Sequence, residues 1–261
     1  MSRQIELGSG LIAIGRQWGT TPQVPSEAQA LGFLEAAFSA GIRYFDTAPS
    51  YGLSELRLGK FLAGLTNGER SQITVATKCG EHWDPEKQEA YTDHSQSALE
   101  HSIDRSLERL AGHVSILQLH KTSVPVLESV AFESALAYAE VQGITTFGAS
   151  VSDVETAQAA IGYEQLSLIQ LPYNQGSPQF HDSIAQATAR GLQVVTNRPF
   201  QMGAVTAPGA REDSAVRAFR FVLQAQFAGA VLTGTSNADH LRENIAAFNT
   251  AHEQMQAHHA Q

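Results

Sequence analysis

Arg43-Tyr44-Phe45-Asp46-Thr47-Ala48-Pro49-Ser50-Tyr51-Gly52-Leu53-Ser54-Glu55 is the stretch on which the reading of this chain turns. Residues 44–46 read as a short apolar strand ending on Asp46, a loop punctuated by Pro49 and Gly52 carries Tyr51, and a helix begins near Ser54. Pro49 and Gly52 let the loop turn back, so a carboxylate and a phenol five residues apart can face one cavity. Taken alone, an Asp after a strand is equally a turn or helix-capping residue, and that alternative stays open at this point.

Working outward, the same alternation repeats. Short apolar runs at residues 11–14, 44–46, 73–78, 116–120, 145–150, 168–171, 192–196 and 230–233 read as strands. Helical patterns follow them at residues 26–40, 54–65, 95–110, 127–141, 153–161, 180–189, 214–226 and 237–254, and residues 79–94 read as a long polar loop holding Trp83 and Tyr91. Strands that are apolar throughout belong to parallel sheets buried on both faces. Eight strand–helix units in residues 1–261, with no linker or composition shift, predict one domain with an α/β fold, a (β/α)8 TIM barrel. An open doubly wound sheet is the rival, but Gly8, Gly10 and Gly15 lack the G-x-G-x-x-G spacing of its dinucleotide-binding turn.

Composition narrows the partners. The 261 residues are 43% apolar with a formal net charge of −9, and no Lys/Arg-rich block offers a footprint for nucleic acid or an anionic membrane. No window approaches the roughly 18 apolar residues of a bilayer span, and residues 1–10 lack the pattern of a secretory signal. Cys79, the single cysteine, has no disulfide partner within the chain and reads as a packing residue. A cytoplasmic protein is expected. The polar tail over residues 251–261, with His258-His259 in it, reads as a solvated end rather than a metal site, and nothing in the sequence marks an oligomeric interface.

In a barrel of this kind the residues closing each strand converge on one mouth. Here they are Asp46 with Tyr51, Lys78, His120, Ser150, Gln170, Asn197 with Arg198, and Thr235-Ser236. A lysine ending a buried strand snorkels or pairs with a carboxylate; beside Asp46 it would pair. An ammonium near a phenol favours the phenolate and is expected to draw the Tyr51 pKa down from its ordinary value of about 10. Such a phenol could give or take a proton.

These residues resemble the aldo-keto reductase superfamily. Phe45-Asp46-Thr47-Ala48, Tyr51-Gly52, Thr77-Lys78, Leu119-His120, Gly148-Ala149-Ser150, Ile169-Gln170 and the segment from Gly234 to Asn244 stand in that family's order and spacing. The resemblance implies a metal-free oxidoreductase that interconverts an aldehyde or ketone with an alcohol by hydride transfer. Tyr51 would be the general acid/base, Lys78 held by Asp46 would tune it, and His120 would orient the carbonyl. It implies NADP(H) as cofactor, with NAD(H) as the alternative, held by Gly10, Asp46, Ser150, Gln170, Asn197, Arg198, Phe200, Gly234, Thr235, Asn237, His240, Glu243 and Asn244. Val151 stands where the family often has Asn, and Gly234 and His240 stand where strongly NADP-preferring members carry Lys and Arg, leaving Arg242 as a substitute cation. Phe200 or Met202 could cover the nicotinamide ring. Substrate contacts are expected from Tyr51, His120 and the aromatic walls Trp18, Trp83 and Tyr91, each of these three being equally a packing residue. A short carboxyl-terminal segment implies an open pocket. The other readings are a sugar or polyol dehydrogenase of the same superfamily, and a cofactor-binding sensor or partner subunit with negligible turnover.

Overall fold

The computed structural model describes residues 5–18, 23–201 and 211–259. Among the described residues ten strands run in chain order: β1 (Ile5–Gly10), β2 (Tyr44–Asp46), β3 (Thr74–Cys79), β4 (Glu81–Asp84), β5 (Glu89–Thr92), β6 (Ile116–Leu119), β7 (Phe147–Ser150), β8 (Leu168–Pro172), β9 (Gln193–Asn197) and β10 (Gly229–Gly234). The helices are α1 (Ile12–Gly15), α2 (Glu27–Ser39), α3 (Ser54–Ala63), α4 (Asn67–Arg70), α5 (Gln96–Arg109), α6 (Val124–Leu127), α7 (Val130–Val141), α8 (Val154–Gly162), α9 (His181–Ala189), α10 (Arg211–Leu223) and α11 (Ala238–His259). Eight parallel strands close a barrel in the order β1-β10-β9-β8-β7-β6-β3-β2, and β1 pairs with β2 through Ser9↔Phe45 and Gly10↔Asp46. The expected (β/α)8 barrel is thus the observed fold.

Two corrections concern its start and one long loop. Residues 11–14 are not the first strand; β1 lies upstream, and Ile12–Gly15 forms a short buried helix. A four-residue apolar run fits a buried strand and a buried helix equally well. The loop after β3 contains an antiparallel hairpin, β4-β5, paired Glu81↔Thr92 through Asp84↔Glu89. Its turn is held by Asp84 Oδ1, which accepts N–H bonds from Glu86 at 2.9 Å and Lys87 at 3.0 Å.

Side chains alternate along each strand, and this places two layers inside the barrel. Tyr44, Ala76, Ile116, Leu168, Val195, Ala230 and Leu232 form an apolar plug separate from the core between strands and helices. Two residues further along the same strands stand Asp46, Lys78, Gln118, Gln170, Asn197 and Gly234. The polar mouth is therefore the next tier above an apolar floor.

Helices seal the outside. Ser26 caps α2 in a reciprocal box with Gln29, and Ala30, Phe33, Leu34 and Ala37 bury its inner face at helical spacing. On α3, Glu55 is fully buried: its Oε1 accepts from Thr77 Oγ1 and Ser106 Oγ, each at 2.7 Å, and its Oε2 lies 3.2 Å from Arg109 Nη1. One carboxylate thus binds α3 to β3 and α5 from outside, while the next residue of β3, Lys78, points in. Glu55→Ala strands two buried hydroxyls and takes the partner from the partly exposed Arg109; it should cost about 3 kcal/mol, read as a fall in the urea midpoint, and an unchanged midpoint would deny the network this role.

Candidate active site

Tyr51 reaches the mouth from a short turn of helix, Pro49–Tyr51, immediately after β2. Gly52 follows with φ 63, a left-handed conformation suited to glycine, and a Cβ on it would come within 2.6 Å of Gly15 O. A Cβ on Gly15 would in turn meet Tyr51 O at 1.9 Å. Only this glycine pair lets α1 and the Tyr51 turn lie backbone to backbone. Around them Ser54 Oγ donates to Leu11 O at 3.1 Å, Thr47 Oγ1 donates to Ser54 Oγ at 2.9 Å, and Arg57 donates to Ile14 O.

At the centre is Lys78, without solvent exposure. Its Nζ donates to Asp46 Oδ1 at 2.6 Å, to Thr47 O at 2.9 Å and to Tyr51 Oη at 3.3 Å. An ammonium has three protons, and each has an acceptor here. Because Tyr51 Oη accepts from Lys78, its own proton is free to point into the cavity. The other oxygen of Asp46, Oδ2, accepts from Gln118 Nε2 at 3.1 Å and from Gln170 Nε2 at 2.8 Å. Ser150 Oγ donates to Gln170 Oε1 at 3.0 Å, so the expected carboxamide partners already form one chain with Asp46.

Burial opposes the Lys78 charge, but Asp46 and then Tyr51 outweigh it and hold its pKa above the ordinary lysine value. Tyr51 moves against the expectation of an acidic phenol. Its ring keeps some exposure at the cavity wall, yet burial of the hydroxyl pushes its pKa up, Lys78 pulls it back only in part, and Asp46 and Glu81 add to the rise. Sequence identifies the ammonium but not how dry the phenol is. Tyr51 is consequently a protonated phenol at neutral pH. Burial likewise pushes the Cys79 thiol up to about 12, in keeping with a packing role.

The hydroxyl opens on a cavity of 1270 Å³. Of the residues expected at a cofactor, Gly10, Asp46, Ser150, Gln170, Asn197, Arg198 and Phe200 line it, as do Gly234, Thr235, Asn237, His240, Glu243 and Asn244. Tyr51, His120 and Trp18 share it, and Val151 adds an apolar contact. Asn237 caps α11, its Oδ1 accepting from Asp239 N at 2.8 Å and His240 N at 3.3 Å. Arg242 pairs instead with Asp239 on the outside of α11 and does not line the cavity. Met202 lies outside the described residues, as do the side chains of His258 and His259.

Three further neighbours, Gln118, Arg16 and Glu81, stand outside the expected set. Gln118 could have been found by stepping two residues back from His120 along one strand face. Arg16 and Glu81 stand on connecting segments that only the fold brings to the mouth. The Arg16 guanidinium lies 5.2 Å from the Trp18 ring and 5.1 Å from the Trp83 ring, so both expected wall residues converge on it. Trp83 therefore packs behind the rim rather than lining the cavity, and Tyr91 stacks on His82 with 49% of its surface exposed.

The profile of the aldo/keto reductase family matches residues 6–218. L-galactose dehydrogenase of Arabidopsis thaliana is 29% identical over an alignment of 276 positions, covering 92% of this chain and 83% of that protein. D-threo-aldose 1-dehydrogenase of a Pseudomonas species is 45% identical over 76 residues, 28% of this chain and 21% of that one. A solved structure assigned as an aldo-keto reductase from Pseudomonas aeruginosa superposes with a TM-score of 0.79 at 26% identity, covering 94% of this chain and 89% of that chain.

The raised pKa of Tyr51 can be read directly. A neutral acid favoured by folding loses that advantage as pH climbs past its unfolded value of about 10. The phenolate absorbance that Tyr51→Phe removes should emerge only above pH ~10. Lys78→Met, which removes the cation that pulls the pKa back, should move it higher still; emergence near neutrality would contradict the protonated phenol.

Proposed function

The chain belongs to the aldo/keto reductase family, and from that premise we propose that the cavity binds NADP(H), with NAD(H) as the alternative, and that Tyr51 exchanges the proton in the reaction. The enzyme is an oxidoreductase that interconverts an aldehyde or ketone with an alcohol. The single observation that carries the assignment is the Lys78 contact at 3.3 Å, which makes Tyr51 Oη an acceptor on its buried side and leaves its proton for a ligand.

The cavity suits a dinucleotide. At 1270 Å³ it exceeds the roughly 300–1,000 Å³ usual for small ligands, and Ser150, Gln170 and Asn197 line it with polar side chains. Ser236, Asn237 and Ala238 bring the α11 amino terminus to it, a place favourable to phosphate, with His240, Glu243 and Asn244 beyond. Bound there, the cofactor supplies or accepts the hydride at its nicotinamide.

The remaining work falls to the chain. Tyr51, protonated at neutral pH, donates to the carbonyl oxygen as the alkoxide develops. The phenolate it leaves faces the Lys78 ammonium, whose charge Asp46 holds in place. In the oxidative direction the same phenolate takes the alcohol proton. The names of the two sugar dehydrogenases support an aldose or its cyclic hemiacetal as substrate, the second reading, which uses the same residues. We also place residues 1–261 in one domain and the protein in the cytoplasm, on its charge pattern and its single buried thiol. Among the described residues no helix is long and apolar enough to cross a membrane.

Tyr51→Phe should lower turnover of a carbonyl panel by about 10²–10⁴-fold while calorimetric titration with NADPH and NADH leaves cofactor affinity unchanged. Turnover that survives the substitution would overturn the proton assignment. Binding without turnover in both proteins would indicate a sensor.

A further inference from the structure

Lys121 follows His120 just past the end of β6 and lines the cavity. Its backbone is left-handed, with φ 52, a conformation that suits glycine and that other residues keep only where their surroundings fix it. Thr122 does the fixing: it is buried, its Oγ1 donates to Leu119 O at 2.8 Å and its N to Ser150 O at 3.4 Å. A turn most easily made with glycine thus carries an ammonium at the cavity wall. The Lys121 side chain is 58% exposed, and the carboxylate it faces, Glu81, brings Oε1 to 3.6 Å from Nζ, an ion pair that closes no hydrogen bond.

A second cation backs the rim. The Nε of Arg16, whose guanidinium the two indoles flank, is buried without a hydrogen-bond partner. Burial holds the Arg16 pKa below the ordinary arginine value in spite of Glu81 and Tyr51. An arginine keeps its charge even so, and this one is short of an anion. The charges bearing on Tyr51 and His120 can be summed. Lys78 cancels Asp46, and Glu81 offsets one of Lys121 and Arg16, so one positive charge is left over. The field at His120 agrees: burial first, then the charges of Lys78, Lys121, Arg16 and His94, hold its pKa well below the ordinary histidine value. In a chain of net charge −9, such a local excess draws anions to one place.

We propose that Lys121, supported by the charge of Arg16, is an anion subsite of the substrate pocket and selects carbonyl compounds that carry a carboxylate. The inference rests on Tyr51 as the proton donor: the carbonyl oxygen meets Tyr51 while the carboxylate, elsewhere on the same molecule, meets Lys121. One leftover charge matches the single charge of a carboxylate. A phosphate monoester brings about two and would leave one unpaired.

The test compares kcat/KM for succinic semialdehyde with that for butanal, its uncharged counterpart, in wild type, Lys121→Gly and Lys121→Arg. Glycine suits the left-handed turn, so the first variant removes the cation and leaves the backbone in place. Wild type should prefer the aldehyde acid by about 10-fold or more, and the preference should shrink in about 1 M salt, where the screening length falls to about 3 Å. Lys121→Gly should lose most of the preference through a rise in KM for the aldehyde acid, and what remains should follow salt less; Lys121→Arg should keep both the preference and its salt dependence. An unchanged ratio in Lys121→Gly overturns the proposal. So does a wild type that favours phosphorylated over free glyceraldehyde more strongly than succinic semialdehyde over butanal. If no aldehyde is turned over, the proton-donor reading fails by itself, and calorimetric titration with the corresponding hydroxy acid in the presence of NADPH judges the subsite. Binding weakened in Lys121→Gly supports it, and equal binding overturns it.

Discussion

An ammonium and a carboxylate 2.6 Å apart, almost without solvent, are the constraint that the barrel mouth is built to satisfy. Removing two such ions from water costs several kcal/mol each, and their attraction repays this only when every remaining proton and lone pair also finds a partner. Thr47, Tyr51, Gln118 and Gln170 complete that set, drawn from β2 and its loop, β6 and β8. The demand explains the strictness of the register. A slip of one residue in β3 would turn Lys78 out toward the helices and bring Thr77 in. Glu55, holding Thr77 from outside, and Asp46, holding Lys78 from inside, oppose that slip from both faces of one strand.

The strand–helix alternation was legible because parallel strands buried on both faces are apolar along their whole length, as 73–78 and 116–120 are. The first strand was not. Ile5–Gly10 alternates apolar residues with Glu, Ser and glycine, and loses to the denser apolar run beside it, which the fold uses as α1. The hairpin escaped for a related reason: standing outside the barrel, Glu81–Asp84 and Glu89–Thr92 carry too few apolar residues to signal strands. At the site, residues that end strands could be named from the chain alone, since the fold decides where strand ends go. Arg16 and Glu81 could not, because their place depends on how two connecting segments fold over the mouth. The Tyr51 pKa illustrates the other limit: the sign of each neighbouring charge can be read from residue types, but the burial that outweighs Lys78 is a property of the packed structure.

The mouth is accordingly unequal around its circumference. From β7 through β10 it is a long groove lined by strand ends and the start of α11, and residues of α1 and the first half of α2 line it as well. Across from it, α1, the Tyr51 turn and the hairpin crowd together through the Gly15–Gly52 approach and the Arg16 clamp. The groove side accommodates an extended ligand, and the crowded side holds the groups whose protons matter.

That clamp has a spectroscopic corollary. The chain has two tryptophans, both indoles flank the same guanidinium, and neither belongs to the apolar plug. Intrinsic indole emission from this protein is therefore a local signal. It follows the parting of the rim segments, so a fluorescence melt would record the loosening of an entrance whether or not the closed sheet beneath has come apart with it.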